Sequence, residues 1–545
     1  MLGKLKLTEI LAIILCYIGF LIAVYVRIRM SDTAFERDEG EYAYAGLQIL
    51  NGRLPYADFY NMKQPGVYYS FAAILGLFAK SDVAIRVGVM VLNLGTAFFI
   101  FNIAAKLIQR EAAWTASLAF LLFSLGYHAQ GLASNSEHFV VFWATFGLWA
   151  IVEKKYFGAG ILLALSFLMK QHAAFFGIFA VVYLLFNNSF KDFFVKSLKL
   201  IAGYSVVILG LFGWVYQNGF WERYYLLTFK YAAAYISLDT FAVDDILKRV
   251  DICEENLLFW IAVLAAFLFI FIKFFLKIGR FSTNLVKNRK FDFSFKTSLS
   301  PIFSPEKEPN TEGGILLLFF MFSFAAVFPG FYFRRHYFQL IFPAAALLSA
   351  YGFQYLNFRI PFTKFSFPAV ILVAASLFYS INKQKVYYFK DSGEEYNRKM
   401  YGDNYFNESK FLGLLLRDST QKEDVIGQFG NEPQLWFYAQ RQAASGFLYK
   451  YPLGEKQPFK ELMTDMYIQE TEKNAPKWFI QSNISDYGSD NLPLQNWYDC
   501  YVEKYKPTGV LYATKDTLNS ILTWNIEKDD TTRKELIVVY KRIEN

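Results

Sequence analysis

A bundle of about eleven membrane helices followed by a small soluble α/β domain is the fold class this sequence predicts. Three observations predict it. The 545 residues are 55% hydrophobic, 20% aromatic and only 19% charged, which is more apolar surface than a water-soluble chain can bury. The apolar residues come in long runs, such as Ile10 to Val26, Val83 to Ala105, Ile315 to Pro329 and Phe338 to Ala350. A bilayer-crossing helix needs about 20 mostly apolar residues, so these runs read as spans. Beyond residue 382 the texture changes to more charge and shorter apolar runs.

Taken in order, Lys4 and Lys6 precede the first run and place the N-terminus inside. Arg27 and Arg29 follow it where a signal peptide would carry small residues, so an uncleaved first span is expected. The polar, aromatic segment from Ser31 to Pro65 is then outside. Gly66 to Phe78 is short for a span and suits a helix lying on the membrane surface. Parity supports this. If Gly66 to Phe78 does not cross, Lys106 and Arg110, Lys154 and Lys155, the Lys191/Lys196/Lys199 loop, residues 273–307 and the Arg359/Lys364 turn all face the cytoplasm; if it crosses, all face outward. The remaining spans are expected near 111–127, 136–152, 157–170, 172–187, 197–216, 256–276, 312–330, 338–356 and 366–382.

This count places a transmembrane domain at 1–382 and an extracytoplasmic α/β domain at 383–545, with strands near 424–429, 476–481, 509–513 and 535–540 and a helix over 432–440. There is no internal repeat. The net charge of +8 is spread over short loops, the signature of cytoplasmic loops and not of nucleic-acid binding. Cys16, Cys253 and Cys500 make no disulfide framework, although Cys253 and Cys500 both fall outside and could pair.

Ionisable side chains beside a membrane are costly unless paired or solvated, so their placement is informative. The first outer loop carries Glu36-Arg37-Asp38-Glu39-Gly40-Glu41, either a solvated loop or a site. Lys63 stands just before the surface helix, where it could snorkel to headgroups or grip a phosphate as a point charge. A second turn carries Glu137 and His138, a third Lys170-Gln171-His172, a fourth Arg334-Arg335-His336-Tyr337. All four histidines map to the outer side, without metal-ligand spacing, and read as hydrogen-bonding interfacial residues. Acids on one loop and cations on others converge at the outer face, which suits an anionic lipid donor and a proton-accepting base.

The stretch Arg37-Asp38-Glu39-Gly-Glu41-Tyr-Ala-Tyr, followed by Pro55-Tyr-Ala-Asp58-Phe-Tyr-Asn-Met-Lys63-Gln-Pro-Gly, resembles the first outer loop of GT-C membrane glycosyltransferases. It is most similar to the protein O-mannosyltransferase and lipid A aminoarabinose transferase group. The Arg334-Arg335-His336-Tyr337 turn and the Gly427-to-Trp436 stretch resemble that group too, while the absence of Trp-Trp-Asp-Tyr-Gly argues against the oligosaccharyltransferase branch. The resemblance implies a polyprenyl-phosphate sugar donor, transfer on the outer face to an acceptor glycan, lipid or protein, and a bacterial inner-membrane location.

It also implies Asp38 as catalytic base beside Glu39, Glu137 as a further acid, and Lys63 as the phosphate ligand. Arg86, Lys170, His172, Arg334, Arg335, His336 and Tyr337 complete the candidate substrate-binding set. No cofactor or metal ligand is assigned, and a divalent metal is left open. The alternatives are a transporter or flippase, in which midplane charges and repeats would be expected, and a scaffolding membrane protein.

Overall fold

The computed structural model describes residues 7–237, 241–288, 311–355, 369–402, 404–482, 491–512, 521–524 and 536–543. Each predicted span is mostly helical over its described residues. α1 (Leu7–Arg29), α2 (Arg37–Leu50), α3 (Gly66–Leu77), α4 (Asp82–Leu107), α5 (Arg110–Phe123), α6 (Ser136–Val152), α7 (Tyr156–Met169), α8 (Ala174–Asn187) and α9 (Phe190–Gln217) build the first part. Helices Leu257–Asn288, Thr311–Ala325, Phe342–Tyr355 and Ala369–Lys383 complete the bundle. Among the described residues three helices, α1, α4 and α9, are long and apolar enough to cross a membrane unaided. The bent pair Val243–Glu254 and Leu257–Lys273 makes a fourth if it is one span, and the others are shorter apolar helices. The count of eleven therefore stands as an expectation. The Arg359/Lys364 turn and most of the 273–307 loop lie outside the described residues.

The surface-helix expectation corresponds to α3, whose 12 residues pack on α2. A Cβ on Gly46 would lie 2.8 Å from the backbone nitrogen of Ala72, so the two helices meet at backbone distance.

The C-terminal part is a six-stranded sheet with order β2-β1-β3-β6-β4-β5. β1 (Val425–Phe429) is parallel to β2 (Gln442–Ala443) and to β3 (Trp478–Ser482). The crossover between β1 and β3 contains helix Lys460–Asn474, as a parallel pair requires. β6 (Leu536–Arg542) pairs antiparallel with both β3 and β4 (Tyr505–Tyr512), and β5 (Ile521–Trp524) closes the edge. The predicted strands are four of these six; the two-residue β2 and the short β5 carry too little pattern to read. The predicted 432–440 helix is present as Gln434–Ala439. Cys253 and Cys500 are both free thiols.

The sheet domain does not stand apart. Its Gln434–Ala439 helix is seated on α2, where a Cβ on Gly40 would fall 2.3 Å from Gln434 Cβ. The Phe35 ring packs on Phe437 at 5.4 Å, and the Phe35 N–H donates to the Tyr438 hydroxyl at 2.9 Å. The start of α2 and the residues just before it are thus held between the helical bundle and the sheet domain.

Candidate active site

α2 begins in a capping box: the Glu36 carboxylate accepts from the Glu39 N–H at 3.1 Å, and Glu39 accepts from the Glu36 N–H at 3.2 Å. Starting the helix there puts Asp38 and Glu41, three residues apart, on one face. Both meet the same partner. Lys63 Nζ donates to Asp38 Oδ1 at 2.9 Å and to Glu41 Oε2 at 2.9 Å, and lies 4.4 Å from the centre of the Tyr42 ring.

The Lys63 loop is fixed by its backbone. Tyr56 donates its hydroxyl to the Lys63 carbonyl at 2.6 Å, and Gln171 donates to the Met62 carbonyl at 2.7 Å.

The two acids of this triad differ in access. The Glu41 side chain is 1% exposed and enclosed by donors, since Tyr68 and Tyr449 also reach it at 2.7 and 3.1 Å. The Asp38 side chain keeps 23% of its surface open. Burial pushes the Asp38 carboxyl up, but the charge of Lys63, helped by that of Arg334, outweighs it and holds the group well below the usual aspartate range. Burial likewise works against the Lys63 ammonium, and Asp38 and Glu41 outweigh it, so Lys63 stays charged. Burial raises Glu41.

Around this triad the structure gathers most of the predicted residues. Glu137 pairs with Lys170, which lies 3.9 Å from the centre of the Tyr337 ring. His172 packs edge-on against the same ring at 5.1 Å and contacts the Ala326 carbonyl at 2.9 Å. His336 is hydrogen-bonded to Gln130 Oε1 at 3.0 Å, and burial pushes it down to about 4, so it is neutral near pH 7. Arg334 is exposed, donates to the Tyr235 hydroxyl at 2.8 Å and lies over the Tyr332 ring.

Three predicted residues are placed elsewhere. Arg335 turns away from Asp38 to donate to Asp251 at 2.7 Å beside His128. Glu39 and Arg86 form a pair at 2.6 Å, with side chains 1% and 5% exposed. Glu39 also takes the Ser134 N–H, and Arg86 donates to the Leu132 carbonyl, so this pair braces the start of α2 from inside the bundle.

His128, His138, His172 and His336 all hydrogen-bond to protein groups. Among the described residues, no three His, Cys, Asp or Glu converge as a metal centre requires.

The sheet domain supplies residues that sequence reasoning missed. Arg37 pairs with Glu432 at 2.9 Å, and the Tyr449 hydroxyl, 3.0 Å from the Arg37 carbonyl, shares its one hydrogen between that oxygen and Glu41. Glu455 accepts from the Tyr231 hydroxyl at 2.9 Å, and burial raises its carboxyl to about 7 despite Arg334 nearby. Glu41 carried a readable signal, its three-residue spacing from Asp38. The sheet-domain residues carried none.

A model of the family described as dolichyl-phosphate-mannose-protein mannosyltransferase matches residues 62–216, a stretch holding Lys63, Arg86, Glu137, Lys170 and His172. No curated protein matches the sequence. Among solved structures the chain is similar to ArnT from Cupriavidus metallidurans bound to undecaprenyl phosphate, with a TM-score of 0.57 at 12% identity, covering 94% of this chain and 98% of that one. The apo state of the same protein gives 0.56 at 10% identity, covering 96% and 97%. The oligosaccharyltransferase AglB from Archaeoglobus fulgidus, in complex with an inhibitory peptide and a dolichol-phosphate, gives 0.48 at 12% identity, covering 97% and 75%. The chain has the GT-C fold of membrane glycosyltransferases.

Proposed function

We propose that this GT-C membrane chain transfers a sugar from a polyprenyl-phosphate donor to an acceptor hydroxyl or phosphate at the membrane face that carries Asp38. The observation that carries the reading is the sharing of Lys63 between a reachable Asp38 and a buried Glu41. An ammonium has three N–H donors. Two are used here, which leaves one for a donor phosphate oxygen.

The family match over residues 62–216 and the undecaprenyl phosphate bound by the similar ArnT support a lipid-phosphate donor. Arg334, exposed and within electrostatic reach of Asp38, is the second cation for that phosphate. Positive charge fixed where the leaving phosphate gains negative charge is the main catalytic contribution expected of such a site.

The ion pair also sets an order of events. Asp38 paired with Lys63 is a poor base, because its carboxylate is already stabilised. A donor phosphate draws Lys63 toward itself and relaxes that hold. Asp38 then takes the proton of an acceptor hydroxyl as the hydroxyl oxygen bonds to the anomeric carbon and the carbon–oxygen bond to the lipid phosphate breaks. One displacement inverts the anomeric carbon. Glu39 acts at a distance, holding α2 through Arg86, and Glu137 does the same for Lys170.

The sheet domain walls the site with Tyr449 and Glu455, and residues 383–545 are read as the part that meets the acceptor. The basic turns at Lys106 and at Lys154–Lys155 lie at the helix ends away from Asp38, which supports a cytoplasmic N-terminus and a site on the outer face of a bacterial inner membrane.

The test is release of labelled sugar from a panel of polyprenyl-phosphate sugars by reconstituted wild type and Asp38→Asn. Release by wild type alone supports the reading and identifies the sugar. Equal release by both discards Asp38 as base and favours an acceptor that is already ionised. No release with any donor from folded protein favours a transporter.

A further inference from the structure

The face opposite Asp38 carries a cavity of about 410 Å³. α6 leads from Glu137 at the candidate site to the turn at Glu153, roughly 24 Å away at about 1.5 Å per residue. That turn contributes Lys154 and Lys155 to the cavity, and the first turns of α9 contribute Lys196, Lys199 and Asp192. Two glycines bring these elements together. A Cβ on Gly160 would fall 1.9 Å from the Leu200 carbonyl oxygen, and one on Gly203 would fall 2.0 Å from that of Phe157. α7 and α9 therefore touch backbone to backbone, which draws the α9 lysines beside the turn.

The charge in this cavity is unbalanced. Four ammonium groups face one carboxylate, and among the described residues none of the four holds an ion pair; the nearby Glu153 is taken by Lys106 at 2.6 Å. Lys196 is hydrogen-bonded to Asn188, and Lys155 lies over the Trp149 ring at 4.9 Å, so both are held in place without being neutralised. Beside the cavity Phe157, Phe194, Val195 and Leu198 are exposed. α9 continues from there as a helix apolar enough to cross a membrane, so the cavity opens at the bilayer surface with an apolar shelf next to it.

We propose that this cavity binds the phosphate head group of an anionic phospholipid in the leaflet opposite Asp38, its acyl chains lying along Phe194 and Leu198. A lone basic loop would attract anionic lipid diffusely. A cavity of head-group size with four lysines and a flanking apolar shelf selects one lipid molecule. The inference does not depend on sugar transfer.

The test uses full-length protein in phosphatidylcholine nanodiscs containing a photocrosslinking phosphatidylglycerol, or the phosphatidylcholine analogue with the same chains, with labelled peptides mapped by mass spectrometry. Phosphatidylglycerol is expected to label peptides spanning 154–158 and 190–199, and the phosphatidylcholine analogue is not. A lysine near an anionic lipid is worth about fivefold, so Lys155→Gln/Lys196→Gln/Lys199→Gln should reduce labelling on the order of a hundredfold.

The corresponding triple arginine variant should keep it, and Asp192→Asn should raise it several-fold, a gain that misfolding cannot produce. Equal labelling by both lipids, no loss in the glutamine variant, or no gain in Asp192→Asn overturns the proposal. Full displacement by millimolar inorganic phosphate does so as well, because the ligand would then be a soluble phosphate.

Discussion

Lys63 Nζ donates to Asp38 Oδ1 at 2.9 Å, so the candidate base and the candidate phosphate ligand are one ion pair before any substrate arrives. An Asp38→Asn protein keeps the shape of this contact and the Glu41 partner of Lys63. It should fold, unfolding at a somewhat lower temperature than wild type because the charged contact with Lys63 is lost, while losing sugar transfer by at least about 10²-fold, the lower range for a positioned base. Parallel thermal unfolding and transfer assays check this. The depressed pKa of Asp38 fixes the pH behaviour. Its folded-state stabilisation is present above the ordinary aspartate range and is lost only as pH falls below it. Any fall in activity between about pH 8 and 5 must then persist in a variant that retains slow turnover, because Asp38 does not titrate there.

Replacing Lys63 separates its two duties. Lys63→Met removes the charge facing the phosphate and also leaves Glu41, 1% exposed, with only the Tyr68 and Tyr449 hydroxyls. A lost charged hydrogen bond costs about 1.5–3 kcal/mol. Binding of a polyprenyl phosphate should weaken by roughly 10–150-fold, and the protein should unfold at lower temperature. Lys63→Met/Glu41→Gln should recover the stability without the binding. A lipid-phosphate binding assay beside a melting curve reads both, and recovery of binding in the double variant would remove Lys63 from the phosphate site.

Much of this site was legible in the sequence, for identifiable reasons. Asp38 and Lys63 stood out because charge is rare next to spans, and α3 because its 12 residues are too few to cross. What local pattern could not show was closure by distant chain. Tyr449 reaches Glu41 across a separation of 408 residues, and Glu432 reaches Arg37 across 395. Nor could composition separate Arg334 from Arg335. Phe331 and Phe333 both adopt left-handed backbone with φ of 54° and 41°, an uncommon choice for aromatic residues, and the chain then enters a 3₁₀ turn at Arg335. The two guanidinium groups diverge, one toward Tyr235 and one toward Asp251.

The buried pair of Glu39 and Arg86 predicts a stability defect instead of a purely catalytic one. Its side chains are 1% and 5% exposed, so removing one partner strands a charge away from water. Arg86→Met should cost about 3–5 kcal/mol, and Glu39→Gln/Arg86→Met should regain most of it. Chemical unfolding of the single and double variants measures the coupling. If the double variant transfers sugar at a near wild-type rate, Glu39 is a positioning residue. If it is stable but inactive, Glu39 belongs with Asp38 in the chemistry.

Glu455 offers a pH signature from the sheet domain. Burial raises its carboxyl from an ordinary 4.5 to about 7, while the Tyr231 hydroxyl and Arg334 oppose the rise. A raised folded-state pKa gives stability that is fully present below the unfolded value and is lost as pH climbs through the folded one. Wild type should therefore lose thermal stability relative to Glu455→Gln as pH goes from about 4.5 to about 7, and the difference should be constant above that. Other buried carboxyls such as Glu36 contribute equally to both proteins and cancel in the comparison. Activity should follow the same group. Above pH 7 the ionised Glu455 competes with the donor phosphate for Arg334, so the wild-type apparent KM for donor should rise through neutrality while that of Glu455→Gln stays flat. A KM that rises equally in both proteins would separate Glu455 from the phosphate site and leave it a structural contact with Tyr231.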